Sequence, residues 1–414
     1  MRSTAAPRQR SRALLVCAVR AAAVCALLVG QTACTATTAT TAAGSPPASS
    51  ARSRPPSATA GPASSPPVAV PTLAPSAPLR ALGDRVGLRI GTAVTAPELA
   101  DGAYRSLIAA EFSAVTPENQ MKWKRLEPVR GAVDWRDADA VVDFAAAHGE
   151  LVRGHTLVWH RSLPAWLLTG VDTGSISRIE LRRVLKQHIQ DEVAHFRGRI
   201  WQWDVVNEVF SDPGLLGASA PSRFWVDHLG SGVLADAFRW AHEADPKALL
   251  FYNDYGIEGI GTKSTAVLAW ATRLKAQGVP IDGVGFQAHL DAGRPVPEDV
   301  TANLRRFADA GFRVAITEAD VRTRTGPGAV NTPVGSRAVV EQGAVWRRLA
   351  ESCLAVRACI SFTTWGVSDD RSWVPWTYTA PQQGAALLWD GHLRRKPQAA
   401  QLADALATGT GARR

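Results

Sequence analysis

The sequence predicts an α/β fold whose parallel strands close into a (β/α)8 TIM barrel. Three observations carry that prediction. Eight short apolar, β-branched runs recur along the chain, stretches of helical spacing separate them, and nearly every run ends in polar groups that a packed core would reject. Strands alternating with helices give a parallel sheet covered on both faces, and eight of them close a barrel with its chemistry on the C-terminal rim. A doubly wound open sheet is the alternative, but no glycine-rich phosphate loop follows the first run.

The runs are RVGLRIGTAV (85–94), FSAVT (112–116), LVRGHTLVW (151–159) and IWQWDVVNE (200–208). They continue with ALLFYND (248–254), DGVGFQAH (282–289), FRVAITEAD (312–320) and CISFTTW (359–365). Helical spacing between them is clearest in DADAVVDFAAAHG and in KSTAVLAWATRLKAQG, the latter closed by Gly278 in a C-cap position.

The residues before the first run are of another kind. Residues 1–78 contain no Asp, Glu or Trp, and 35–78 are largely Ala, Ser, Thr and Pro, a composition that buries too little apolar surface to offset chain entropy. The expected organisation is an export signal over 1–34, a disordered linker over 35–78, the barrel domain over 79–408 and a tail over 409–414. In the leader, arginines precede AAAVCALLVG, an apolar run too short for a stable span, and small residues follow. QTAC resembles a bacterial lipoprotein cleavage site, although Gln31 departs from the aliphatic residue usual there. Lipid attachment at Cys34, anchoring the protein to the outer face of the membrane, and plain cleavage with secretion both stay open.

The net charge of +9 says little about partners. Seven arginines of the leader and linker supply most of it, leaving 39 basic against 37 acidic residues in the rest of the chain. No basic face for nucleic acid is required. A monomer with no cofactor and no metal is expected. Only Cys353 and Cys359 lie in the barrel domain, spaced so that a helix end and a strand start could carry them. In an oxidising compartment they could join, and two free buried thiols are the alternative.

The polar strand ends suggest the chemistry. They comprise Glu118 and Asn119, His155 and Trp159, Asn207 and Glu208, then Asn253, Asp254 and Tyr255, Gln287 and His289, Glu318 and Asp320, and Trp365. Glu208 and Glu318 each end a run, the fourth and the seventh, and so face each other across a barrel mouth. Two carboxyl groups flanking a bond are what glycoside hydrolysis needs. A divalent metal held by His155, His289, Asp254 and Asp320 competes, but no close ligand spacing supports it. Tryptophans at strand ends (Trp123, Trp159, Trp365 and Trp373) suit the apolar faces of sugar rings. Trp135, Trp225, Trp240, Trp270 and Trp346 fall in or near helical stretches and read as core.

The blocks TPENQMKW, GHTLVWH, WDVVNE, NDYGIE, VGFQAHL, ITEADV and TTWGVSDDRSWVP, in this order, strongly resemble glycoside hydrolase family 10. The resemblance runs from about residue 82 to about 399. It implies a retaining endo-β-1,4-xylanase of (β/α)8 fold. It further implies Glu208 as acid/base and Glu318 as nucleophile, with His289 and Asp320 holding the nucleophile, Asn207 bonding the sugar 2-hydroxyl and Gln287 beside the acid/base. Glu118, Asn119, Lys122, His155, Trp159, Trp365 and Trp373 match non-reducing-side sugar contacts, and Tyr255 an aromatic on the leaving-group side. The Cys353–Cys359 pair resembles a disulfide of many members. Ser162 stands where many members carry glutamine, which implies weaker rejection of a glucose unit; Gly256 and Ala319 also depart from the commoner residues. A barrel glycosidase acting on β-glucan, and a surface protein that binds polysaccharide without cutting it, are the alternatives.

Overall fold

The computed structural model describes residues 73–409, apart from 217–222, 295, 327–328, 330 and 380. The expected leader, Cys34 and the linker up to residue 72 therefore lie outside the described residues, as does most of the tail.

Eight parallel strands form the centre: β1 (Arg89–Val94), β2 (Ala114–Pro117), β3 (Leu151–Val158), β4 (Gln202–Asn207), β5 (Leu249–Asp254), β6 (Gly283–Phe286), β7 (Arg313–Arg324) and β8 (Cys359–Thr364). Each pairs with its successor, and β8 returns to β1 in parallel with Arg89 opposite Ser361, so the sheet closes. Helices separate the strands in sequence and cover the barrel. The fold is the expected (β/α)8 barrel.

Local sequence explains the outer layer. In the helix Arg178–His195 the buried residues Leu181, Val184, Leu185, His188, Ile189, Glu192 and Val193 recur at three- and four-residue spacing, which turns one face to the barrel. Ser177 caps its start by accepting from the Glu180 amide at 3.2 Å. Asp101 caps Gly102–Glu111 in the same way.

Some boundaries differ from the expected ones. The first four residues of RVGLRIGTAV are not strand. Arg85 and Val86 end the helix Leu79–Val86, and Gly87, at φ 69°, turns the chain into β1. The sixth run breaks after Phe286, and His289–Asp291 forms a separate short strand alongside β7. β7 continues well past Glu318, because its outer half pairs with that short strand and with Gln383–Gly384. Glu318 therefore lies within a strand and does not end one.

Cys353 and Cys359 form a disulfide that ties the end of the helix Ser336–Leu354 to the start of β8. Trp225, Trp240, Trp270 and Trp346 are buried, as expected of core residues. Trp135 is only partly buried and lies against the His195 ring at 4.2 Å. Trp123 corrects the expectation of a sugar-facing ring: it is 2 % exposed, stacks on His188 at 3.9 Å and donates to Glu127.

Candidate active site

A cleft opens at the C-terminal ends of the strands, where Glu118, His155, Glu208, Gln287, Glu318 and Trp365 converge. Asn119, Lys122, Trp159, Tyr255, His289 and Trp373 line it as well. Asn207 and Asp320 are fully buried and touch the cleft groups from below. The residues singled out at the strand ends are thus brought to one place.

Glu318 sits on the cleft floor. Asn253 donates to its Oε1 at 2.6 Å, and His289 Nε2 lies 3.1 Å from its Oε2. The other imidazole nitrogen of His289 lies 2.8 Å from Asp320 Oδ2, which also accepts from Trp373 Nε1 at 2.8 Å. Burial by itself would raise the Glu318 carboxyl. The charge of His155, the hydrogen bond and charge of His289 and the Asn253 amide outweigh it and hold the group at about 2. Burial would likewise lower His289, but its two carboxylate partners, Asp320 foremost, raise it well above the usual imidazole range.

Glu208 follows β4 with a left-handed backbone, φ 57°. Its amide donates to the Asn253 carbonyl at 3.0 Å. The carboxyl group accepts from Trp159 Nε1 at 2.9 Å on one oxygen and from Gln287 Nε2 at 3.0 Å on the other.

Three amides connect the two acids. Because Glu318 is ionised, Asn253 must present its nitrogen to it, and the second proton on that nitrogen needs an acceptor. Asn207 Oδ1 supplies one at 2.9 Å, and Gln287 Nε2 reaches the same oxygen at 3.4 Å. In the reversed orientation the Asn207 nitrogen would donate to the Asn253 carbonyl at 3.1 Å and its oxygen would accept from Trp159 Nε1 at 3.3 Å, but that nitrogen would face the Asn253 amide nitrogen at 2.9 Å, whose second proton would lose its acceptor. Gly285 on β6 makes room for the arrangement, since a Cβ there would lie 2.3 Å from Asn253 Oδ1.

A second chain of contacts runs along the cleft wall. Lys122 donates to Asn119 at 3.0 Å and lies over the Trp159 ring at 5.0 Å, and Asn119 donates to Glu118 at 3.1 Å. Burial raises Glu118 and lowers Lys122, and the attraction between the two opposes both shifts. On the opposite side, the ammonium group of Lys263 lies 3.7 Å from the centre of the Tyr255 ring and 2.9 Å from Asp254.

The family model described as glycosyl hydrolase family 10 matches residues 78–405. The chain belongs to this family. This family 10 chain is 38 % identical over 322 residues to an endo-1,4-beta-xylanase of Agaricus bisporus, covering 77 % of the chain and 91 % of the relative. It is 39 % identical over 328 residues to endo-1,4-beta-xylanase B of Thermotoga neapolitana, covering 77 % and 89 %. Among solved structures it resembles xylanase 10B from Thermotoga petrophila in complex with xylobiose, with a TM-score of 0.73 and 36 % identity over 80 % of this chain and 97 % of that one.

Several groups of this family 10 site escape a sequence reading. Asn253 is visible only as one more polar strand end, without the bond to Glu318. Arg153 and Asp204 lie inside strands, where apolar residues are expected, yet they form a buried ion pair beneath the cleft, with Arg153 Nε 3.0 Å from Asp204 Oδ2. The same carboxylate holds His155 Nδ1 at 3.0 Å. His155, Asp204 and Glu318 bring ligand-type atoms within 4.8 Å of one another, but Arg153 and the imidazole already serve Asp204, so the cluster reads as an ion-paired relay. Arg161, Thr377 and Tyr378 complete the lining. Ser162 is 4 % exposed and does not join it; its neighbour Arg161 does.

Proposed function

We propose that this family 10 chain is an endo-1,4-β-xylanase that cuts β-1,4-xylosidic bonds by double displacement, with Glu318 as nucleophile and Glu208 as acid and then base. The observation that carries the reading is the contrast between the two carboxyl groups. One is buried and held ionised by His289 and Asn253, and the other borders the cleft between an indole and an amide donor. An ionised carboxylate is the form that attacks an anomeric carbon.

In the first step Glu318 bonds to the anomeric carbon while Glu208 gives its proton to the glycosidic oxygen, and the carbon–oxygen bond to the leaving chain breaks. Glu318 is then a neutral ester. In the second step Glu208, now a carboxylate, takes a proton from water as the water oxygen attacks the same carbon and releases Glu318. Two inversions retain the configuration. Asn207 bonds the sugar 2-hydroxyl, Gln287 and Trp159 orient Glu208, and His289 with Asp320 orients Glu318. Glu118, Asn119, Lys122, His155, Trp365 and Trp373 seat sugars on the non-reducing side, and Tyr255 seats the leaving side.

The test is the anomer first released from linear xylan, followed by proton NMR. The β-anomer should appear first, and Glu318→Ala should abolish release of reducing sugar. Early α-anomer, or a Glu318→Ala variant that still turns over, would defeat the assignment.

Export is the reading that the leader supports, and the Cys353–Cys359 disulfide suits an oxidising compartment. Mass spectrometry of the mature N-terminus separates a form lipidated at Cys34 from a released one.

A further inference from the structure

Arg161 has no part in the chemistry above, yet it lines the cleft. Its Nε lies 3.7 Å from Glu208 Oε2, beyond hydrogen-bond distance, and its side chain is 58 % exposed. Among the described residues its guanidinium donates no hydrogen bond. Glu208 does not depend on it, because Trp159 and Gln287 each serve one of the carboxyl oxygens. The other cationic groups of the cleft are committed. Lys122 is buried against Asn119 and Trp159, and His289 lies between Glu318 and Asp320.

A rigid fork of five donors thus stands half-exposed beside the proton donor, and among the described residues no acceptor lies within hydrogen-bond distance of it. Hydroxyls of a neutral chain fill such a fork poorly, whereas a carboxylate matches it with two parallel bonds. We infer that Arg161 is an anion-recognition position of the cleft, selecting xylan segments that carry a carboxylate substituent, a uronic acid, close to the bond being cut. The inference rests on the xylan reading above and names the substrate class within it.

The position explains why the fork is half exposed. A side group branching from the main chain points out of the cleft, so its partner must stand at the rim and not on the floor. The expected selectivity is about fivefold, the scale of a single solvent-exposed ion pair.

The test compares three xylo-oligosaccharides of equal backbone length: one carrying a uronic acid, one carrying its methyl ester, and one unsubstituted. The ester keeps the bulk and removes the charge. Wild-type protein should show a higher kcat/KM on the acid than on the ester, and Arg161→Gln should bring that ratio to about one. Arg161→Lys should fall between them, and added salt should lower the wild-type ratio. An effect transmitted through Glu208 changes all three substrates by a common factor and drops out of the ratio. A wild-type ratio of one, or a ratio that Arg161→Gln leaves unchanged, overturns the inference. Hydrolysis of the unsubstituted oligosaccharide tests the xylan reading separately: wild-type turnover there with no acid preference defeats only the role of Arg161.

Discussion

Asn253 donates from a single amide nitrogen to both Glu318, at 2.6 Å, and Asn207, at 2.9 Å. One side chain thereby positions the proposed nucleophile and the amide proposed to hold the sugar 2-hydroxyl. Asn253→Ala removes both bonds and leaves a buried carboxylate short of a donor. We expect kcat to fall by about a hundredfold, the scale for losing one aimed donor in a dry site. Steady-state kinetics on an aryl xylobioside checks this, and a fall below threefold would assign Asn253 a packing role only.

His289 is the second support of Glu318. Without it, burial is opposed by less positive charge, and the carboxyl must rise from about 2. The nucleophile works only when ionised, so the acidic limb of kcat/KM in His289→Ala should move to higher pH, by about one unit or more. A pH–rate profile that drops uniformly without moving would show that His289 does not tune this group.

Far from the cleft, Glu150 is buried with neither carboxyl oxygen hydrogen-bonded, and burial, partly offset by the charge of Arg80, pushes it up to about 8. A carboxyl whose folded value exceeds its unfolded one costs stability as pH rises. The cost is absent below about 4.5, grows through the interval and is complete above about 8. Glu150→Gln should therefore melt close to wild type at pH 4 and a few degrees higher at pH 8. Equal melting temperatures at both values would refute the assignment.

The disulfide closes a short loop, with six positions separating Cys353 from Cys359. Chain-entropy arguments give a loop of that size about 2 kcal/mol. The double variant Cys353→Ala with Cys359→Ala should lose roughly that much in chemical denaturation, while a reducing agent should no longer affect it.

The outline of the molecule was legible in the sequence because two regularities are local. Strand-and-helix alternation marks the barrel, and polar residues at strand ends mark its rim. What stayed hidden depends on contacts between distant segments. Arg153 and Asp204 lie 51 positions apart, and nothing in either strand alone says that each neutralises the other. Trp123 looked like a sugar platform from its place after β2. His188, from a helix that begins more than fifty residues later, covers its face instead. Glu318 looked like a strand end because the partners that prolong β7 come from other parts of the chain. Arg161 carries no signal until the fold sets it beside Glu208.

The φ of 57° at Glu208 means that the backbone is held in a conformation that side-chain-bearing residues avoid, at a cost of order 1 kcal/mol or more. A glycine there would sit at ease, so Glu208→Gly should yield a barrel that withstands more heat and has lost its proton donor. Selection for thermal endurance alone would thus drift toward an inert protein, and a screen for hardier variants must score turnover beside melting temperature.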